Sequence, residues 1–153
     1  MWSAAAVVVC ALDLLGRSAG TFPPITLVDV PPPAASRYVE GFVLPGVDAI
    51  HLVTSSPAFR AARMSAQRCG DRHAVRKIAS VIVHEEWHLR HGPDERGAYQ
   101  AQLSALLTMG ADFTTQVFAE VSRAMRTVTN RRQVPARGTA PRALLARRDD
   151  PPR

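Results

Sequence analysis

The residues best suited to chemistry lie in one short stretch, His84-Glu85-Glu86-Trp87-His88. His84 and His88 stand four positions apart, so on a helix their imidazoles share one face and can grip one cation together. Glu85 follows the first histidine directly, where its carboxylate reaches a water bound to that cation. Two histidines holding zinc, with a glutamate beside them as general base, is the arrangement of metal-assisted hydrolysis. Three fixed positions recur by chance in unrelated proteins, so the surrounding elements have to support the pattern.

They do so from both sides. Upstream, Val75, Ile78, Ala79, Ile82 and Val83 form an apolar stripe with a period near 3.6 that runs straight into the motif. Such a stripe anchors a helix in a core and leaves the histidine face turned to a cleft. Downstream, Gly92-Pro93 is a helix stop about one turn beyond His88. A second helix opens at Asp94-Glu95 and continues through Ala98, Ala101, Leu103, Leu106 and Leu107. Acidic residues in a first helical turn are also favoured by the helix dipole, so capping competes with metal binding for both.

A catalytic zinc takes three protein ligands and keeps a position open. Glu95 is the first candidate for the third ligand, because a tight turn between antiparallel helices returns the start of the second to the end of the first. Asp94 is the second. It lies six residues after His88, the metzincin spacing, but the glycine that metzincins place three residues after the second histidine is His91 here. His91 is the third candidate, on the same face and about 4.5 Å further along the axis at 1.5 Å per residue. It equally suits a place near substrate, or the helix end, where a cation is favoured. Tyr99, one turn after Glu95, or His91 could donate to an oxyanion. The competing role for Tyr99 is a partly buried aromatic that joins the two helices. Trp87 points away from the metal face and is expected to pack. Glu86 is expected to be solvated or paired with Arg90 at four-residue spacing, with no part in the base chemistry.

His84-Glu85-Glu86-Trp87-His88, followed by the run from Gly92-Pro93-Asp94-Glu95 through Ala98-Tyr99 to Leu103, resembles the minimal gluzincin peptidases of the ImmA/IrrE-like type. In that family a metal-binding helix is followed by one that opens with a glutamate ligand and continues with alanines and an aromatic residue. The resemblance implies zinc held by His84, His88 and Glu95, with Glu85 as base. It also implies a small zincin-like α+β domain with a short sheet packed on the active-site helix. The linker between the two helices is shorter here than in many members.

The remainder of the chain frames this site. With 153 residues, 46% apolar and 21% charged, it reads as one soluble globular domain. Cys10 and Cys69 make neither a metal-ligand pair nor a disulfide framework, so a reducing, cytoplasmic setting is expected. Residues 1–20 read as an amphipathic helix ending near Gly16. No positive charge precedes the apolar run and Asp13 interrupts it, which disfavours a secretion signal, and it is too short to span a bilayer. Ile25 to Val30 and Ala49 to Thr54 alternate as strands, with a weaker strand from Gly41 to Leu44 cut by Pro45-Gly46. An edge of that sheet could pair with an extended substrate backbone. His51 is expected at a strand surface, and His73 is assigned no chemistry. Ser56-Pro57 opens a short helix through Met64, and Phe113 to Thr129 has the spacing of a closing helix.

Residues 1–133 form the domain, and residues 134–153 shift to Pro, Arg, Gly and Ala and read as a disordered tail. That tail holds five Arg against two Asp, half of the net charge of +6. No basic–aromatic pattern of a nucleic-acid module accompanies it, so the expected partner is a protein or peptide substrate. Two function classes follow: a zinc metallopeptidase, or a non-catalytic binding or regulatory module that keeps the fold. The intact Glu85 favours the first, since a purely structural zinc has no use for a base beside a ligand.

Overall fold

The computed structural model describes residues 1–33 and 39–133, and the segment expected to be a disordered tail lies outside them. The described residues form an α+β domain, with five α-helices and one small sheet among them. Helix α1 covers Ala4–Leu14, and a 3-10 turn at Ala19–Thr21 leads into strand β1, Ile25–Val28. Strands β2 (Gly41–Val43) and β3 (Ile50–Val53) follow, then helices α2 (Pro57–Met64), α3 (Arg72–His91), α4 (Glu95–Thr108) and α5 (Gln116–Gln133).

The strand order is β1-β3-β2. β1 runs parallel to β3 with Ile25 opposite Ile50, while β2 runs antiparallel with Gly41 opposite Leu52. Ile50 and Leu52 point to the core and are buried, as alternation requires. His51, between them, stacks on Phe42 of β2 at a centroid separation of 4.8 Å. It is no part of the metal group.

Helix α3 is the central element and packs against α1, α2, α4, α5 and the sheet. Its core-facing stripe includes Val75, Ile78, Ala79 and Ile82, all buried. Asp71 caps its start by accepting the Ala74 N–H at 2.9 Å. Ser56 caps α2 in the same way, with Pro57 in the first turn.

Three expectations change. Cys10 and Cys69 are joined as a disulfide, 59 residues apart, with Cα atoms 5.5 Å from each other. Composition could not show this, because it depends on α1 lying against the loop that precedes α3. Glu86 makes the expected pair with Arg90, but it is buried, not solvated, because Arg17 holds it from a second side. Arg17 forks onto both of its oxygens at 2.8 and 2.9 Å, and Arg90 reaches Oε1 at 2.6 Å. The closing helix starts at Gln116 rather than Phe113, because Asp112 folds Thr114 and Thr115 into a turn ahead of it. Phe113 is left exposed.

Residues 1–20 belong to this architecture. Val7, Cys10, Ala11 and Leu12 are core residues, and Arg17 lies over the Phe22 ring at 3.4 Å while gripping Glu86. No described helix is long and apolar enough to cross a membrane.

Candidate metal centre

The site forms where the last turns of α3 meet the first turns of α4. Gly92 ends α3 at φ +79°, ψ −157°, a backbone conformation that only glycine adopts at low cost. Two residues later Asp94 caps α4 by accepting the Gly97 N–H at 3.2 Å. The chain therefore reverses within a few residues and returns Glu95 to His84 and His88. Gly97 permits the close approach: a Cβ there would stand 2.6 Å from Trp87 Cζ2.

His84, His88 and Glu95 form a group that could hold a metal ion. The two Nε2 atoms are 3.1 Å apart. Glu95 Oε2 lies 3.5 Å from His84 Nε2, and Oε1 lies 3.6 Å from His88 Nε2. One nitrogen from each ring and a carboxylate thus face a common point, with separations close to the about 3.3 Å edge of a tetrahedron of ligands 2.0–2.1 Å from zinc. The donor set fits a zinc ion.

Of the three candidates for the third ligand, the structure places Glu95 in the group and the others outside it. Asp94 is engaged as the α4 cap. His91 turns back on its own helix, with Nδ1 3.2 Å from the Trp87 carbonyl and its ring stacked on Trp87 at 3.9 Å. Trp87 packs over Gly97 as expected of a residue off the metal face.

Glu85 is buried and lines the same cleft as His84, His88 and Glu95. Burial raises its pKa above the usual carboxylate range, and the neighbouring His84 and His88 pull it part of the way back. His88 is raised from its usual 6.5 to about 9, chiefly by the Glu95 carboxylate, with the Gly92 carbonyl adding to the effect. Glu95 is held far below the usual range by the same contacts to His84 and His88. The metal-free cluster therefore keeps a cation, the proton on His88, where a metal ion would compete with it. Tyr99 lies edge-on to His84, with ring centroids 4.6 Å apart, and burial raises its pKa, so it keeps its hydroxyl proton.

The cleft has a volume of about 1040 Å³. It is lined by strand β2 and the segment after it, by α3 and α4, and by Val121 and Ala124 of α5. β2 is an edge of the sheet and crosses directly over Glu85. Gly41 makes that possible, because a Cβ there would meet Val81 Cγ1 at 2.7 Å and Glu85 Cγ at 3.2 Å.

Two contacts at the site are invisible in the motif. His88 Nδ1 lies 2.9 Å from the Gly92 carbonyl, and His84 Nδ1 lies 3.1 Å from Gln102 Oε1. Glu95, Tyr99 and Gln102 recur at four and three residues along α4, so helical spacing was the available signal for Gln102. A backbone carbonyl leaves no such signal. Neither a family model, nor a curated protein, nor a solved structure matches this chain.

Proposed function

We propose that this protein is a zinc metallopeptidase of the gluzincin type, with His84, His88 and Glu95 as zinc ligands and Glu85 as general base. The observation that carries this is the placement of Glu85. It lines the same cleft as the three converging ligand atoms, on the helix that supplies two of them. A cluster that served only to staple two helices would need no carboxylate there. The resemblance to ImmA/IrrE-like peptidases points the same way.

When bound, zinc supplies a polarising charge for the scissile carbonyl and makes the attacking water more acidic. Glu85 takes the proton from that water and delivers it to the departing amine. Its raised pKa brings it nearer the working pH, which suits both steps. Tyr99 keeps a proton to donate to the oxyanion. The edge of β2 beside the cleft, unpaired among the described residues, offers backbone N–H and C=O groups to an extended chain, so the substrate is a protein or peptide bound as an added strand. The Cys10–Cys69 disulfide, with Cys10 in the core, supports an oxidising compartment, in place of the cytoplasm expected from free thiols.

The test is Glu85→Gln, assayed with zinc content on a quenched fluorescent peptide library. The variant should keep about one zinc per chain while hydrolysis falls about 10²- to 10⁴-fold. Full hydrolysis by the variant would remove Glu85 from the mechanism. Wild-type protein that takes up no zinc after reconstitution would refute the peptidase itself.

A further inference from the structure

We propose that Gln102 is a positioning residue that fixes the tautomer of His84, so that its Nε2 lone pair faces the metal position. The inference rests on His84 being a ligand, as proposed above.

It follows from a chain of buried hydrogen bonds with a single direction. The Ser80 hydroxyl donates to the Lys77 carbonyl at 2.8 Å. A hydroxyl has only one proton, so Ser80 can offer Gln102 nothing but a lone pair. Gln102 must meet it with its amide nitrogen, and Nε2 donates to Ser80 Oγ at 3.0 Å. The two ends of the amide are thereby assigned, and Oε1 is the atom 3.1 Å from His84 Nδ1. An amide oxygen only accepts, so Nδ1 carries the proton. In the neutral ring Nε2 is then bare, and it is the atom that faces His88 and Glu95.

Burial gives this chain its force. Ser80, Gln102 and His84 are 0%, 3% and 9% exposed, so a ring with its proton on the other nitrogen would leave a buried acceptor facing an acceptor. Neutral histidine in water favours the Nε2–H form, which cannot bind a metal through Nε2. The relay holds the opposite form before any ion arrives. Ser80 lies one helical turn before His84 on α3, and Gln102 lies on α4, so the same three groups also set the ring's orientation across the helix interface.

Two measurements on full-length protein test this. Long-range ¹H–¹⁵N NMR of metal-free protein, at a pH where the ring is neutral, reports which His84 nitrogen carries the proton. Zinc affinity by chelator competition is measured for wild type, Gln102→Leu and Gln102→Glu. Nδ1–H is expected in the wild type. Gln102→Leu should bind zinc about 10- to 100-fold more weakly. Gln102→Glu keeps an acceptor facing Nδ1 and should restore both the tautomer and most of the affinity, which a merely space-filling residue would not do. An Nε2–H His84 in the wild type, or zinc binding by folded Gln102→Leu at wild-type strength, would overturn the proposal. If wild type binds no zinc, the peptidase reading fails, and the NMR result still decides the tautomer.

Discussion

From Arg72 to Ala79, α3 is held mainly by apolar packing, by its Asp71 cap and by the disulfide that ties the preceding loop to α1, with Arg76 and Lys77 adding polar contacts to the Met109 carbonyl, Glu40 and Glu120 at its flank. From His84 to His91 the same helix is held by hydrogen bonds and ion pairs to named partners: Gln102, the Gly92 carbonyl, Arg17, Arg90 and Glu95. Apolar packing tolerates small shifts, because its energy depends on area and volume rather than direction. Hydrogen bonds do not, and a ligand set has to be placed to within a fraction of an ångström. The first half should therefore set stability, and the second half should set metal affinity.

Opening the disulfide, by Cys10→Ala with Cys69→Ser, breaks the first half with the largest expected effect. A cross-link between residues 59 apart is worth about 4 kcal/mol by chain entropy. Denaturant unfolding should show a loss of that order, while zinc stoichiometry and affinity of the folded protein stay at wild-type values. A parallel fall in zinc affinity would show that the two halves are mechanically one.

Gly97→Ala attacks the second half. Its Cβ would meet the Trp87 ring at 2.6 Å and Asp94 Oδ2 at 2.8 Å, so α4 must move outward and take Glu95 with it. The cost is about 1–3 kcal/mol from overpacking, and here zinc affinity should fall as well. Chelator competition against Gly97→Ala checks this. Unchanged affinity would mean that Glu95 is placed independently of the helix spacing.

The two halves also differed in how far the sequence disclosed them. The 75-78-79-82 stripe is a local, periodic signal, and α3 formed where it indicated. The His84-Glu85-His88 spacing and the Gly92-Pro93 stop together narrowed the third member of the group to Glu95, Asp94 and His91, since a short reversal leaves few alternatives. Choosing between Glu95 and Asp94 needed the cap geometry, which spends the Asp94 carboxylate on the Gly97 N–H. Gln102 had only its helical spacing from Glu95 and Tyr99 to mark it, whereas Arg17 and the disulfide depend on contacts between elements far apart in the chain, and no spacing rule reaches across 69 residues from Arg17 to Glu86. The β2 approach to Glu85 depends on Gly41, a residue that reads in sequence only as a weak point in a strand.

The caps at the two ends of α3 sharpen the contrast. Asp71→Ala should cost about 1 kcal/mol through the lost N-cap and leave the metal site alone. Gly92→Ala should cost about 1–2 kcal/mol because φ +79° with ψ −157° is strained for any side chain. It should also weaken zinc binding about 10-fold, through the displaced carbonyl that orients His88. Equal effects of the two variants on zinc would remove the special role given to the Gly92 carbonyl.

The last contrast is a pH dependence confined to the second half. In metal-free protein His88 is raised from 6.5 to about 9, mainly by Glu95. Its stabilisation is fully present below about pH 6.5 and is lost as pH rises through about 9. Glu95 is lowered from 4.5, so its stabilisation is present above about pH 4.5 and is lost as pH falls further. The thermal advantage of metal-free wild type over Glu95→Gln should therefore be greatest between about pH 4.5 and 6.5 and shrink on either side. Zinc reverses the alkaline limb, because binding requires His88 without its proton, and the stabilisation gained from zinc should grow as pH rises towards 9. An advantage of metal-free wild type that instead grew above pH 7 would mean that His88 and Glu95 are not an ion pair, and that a proton does not occupy the place proposed for the metal.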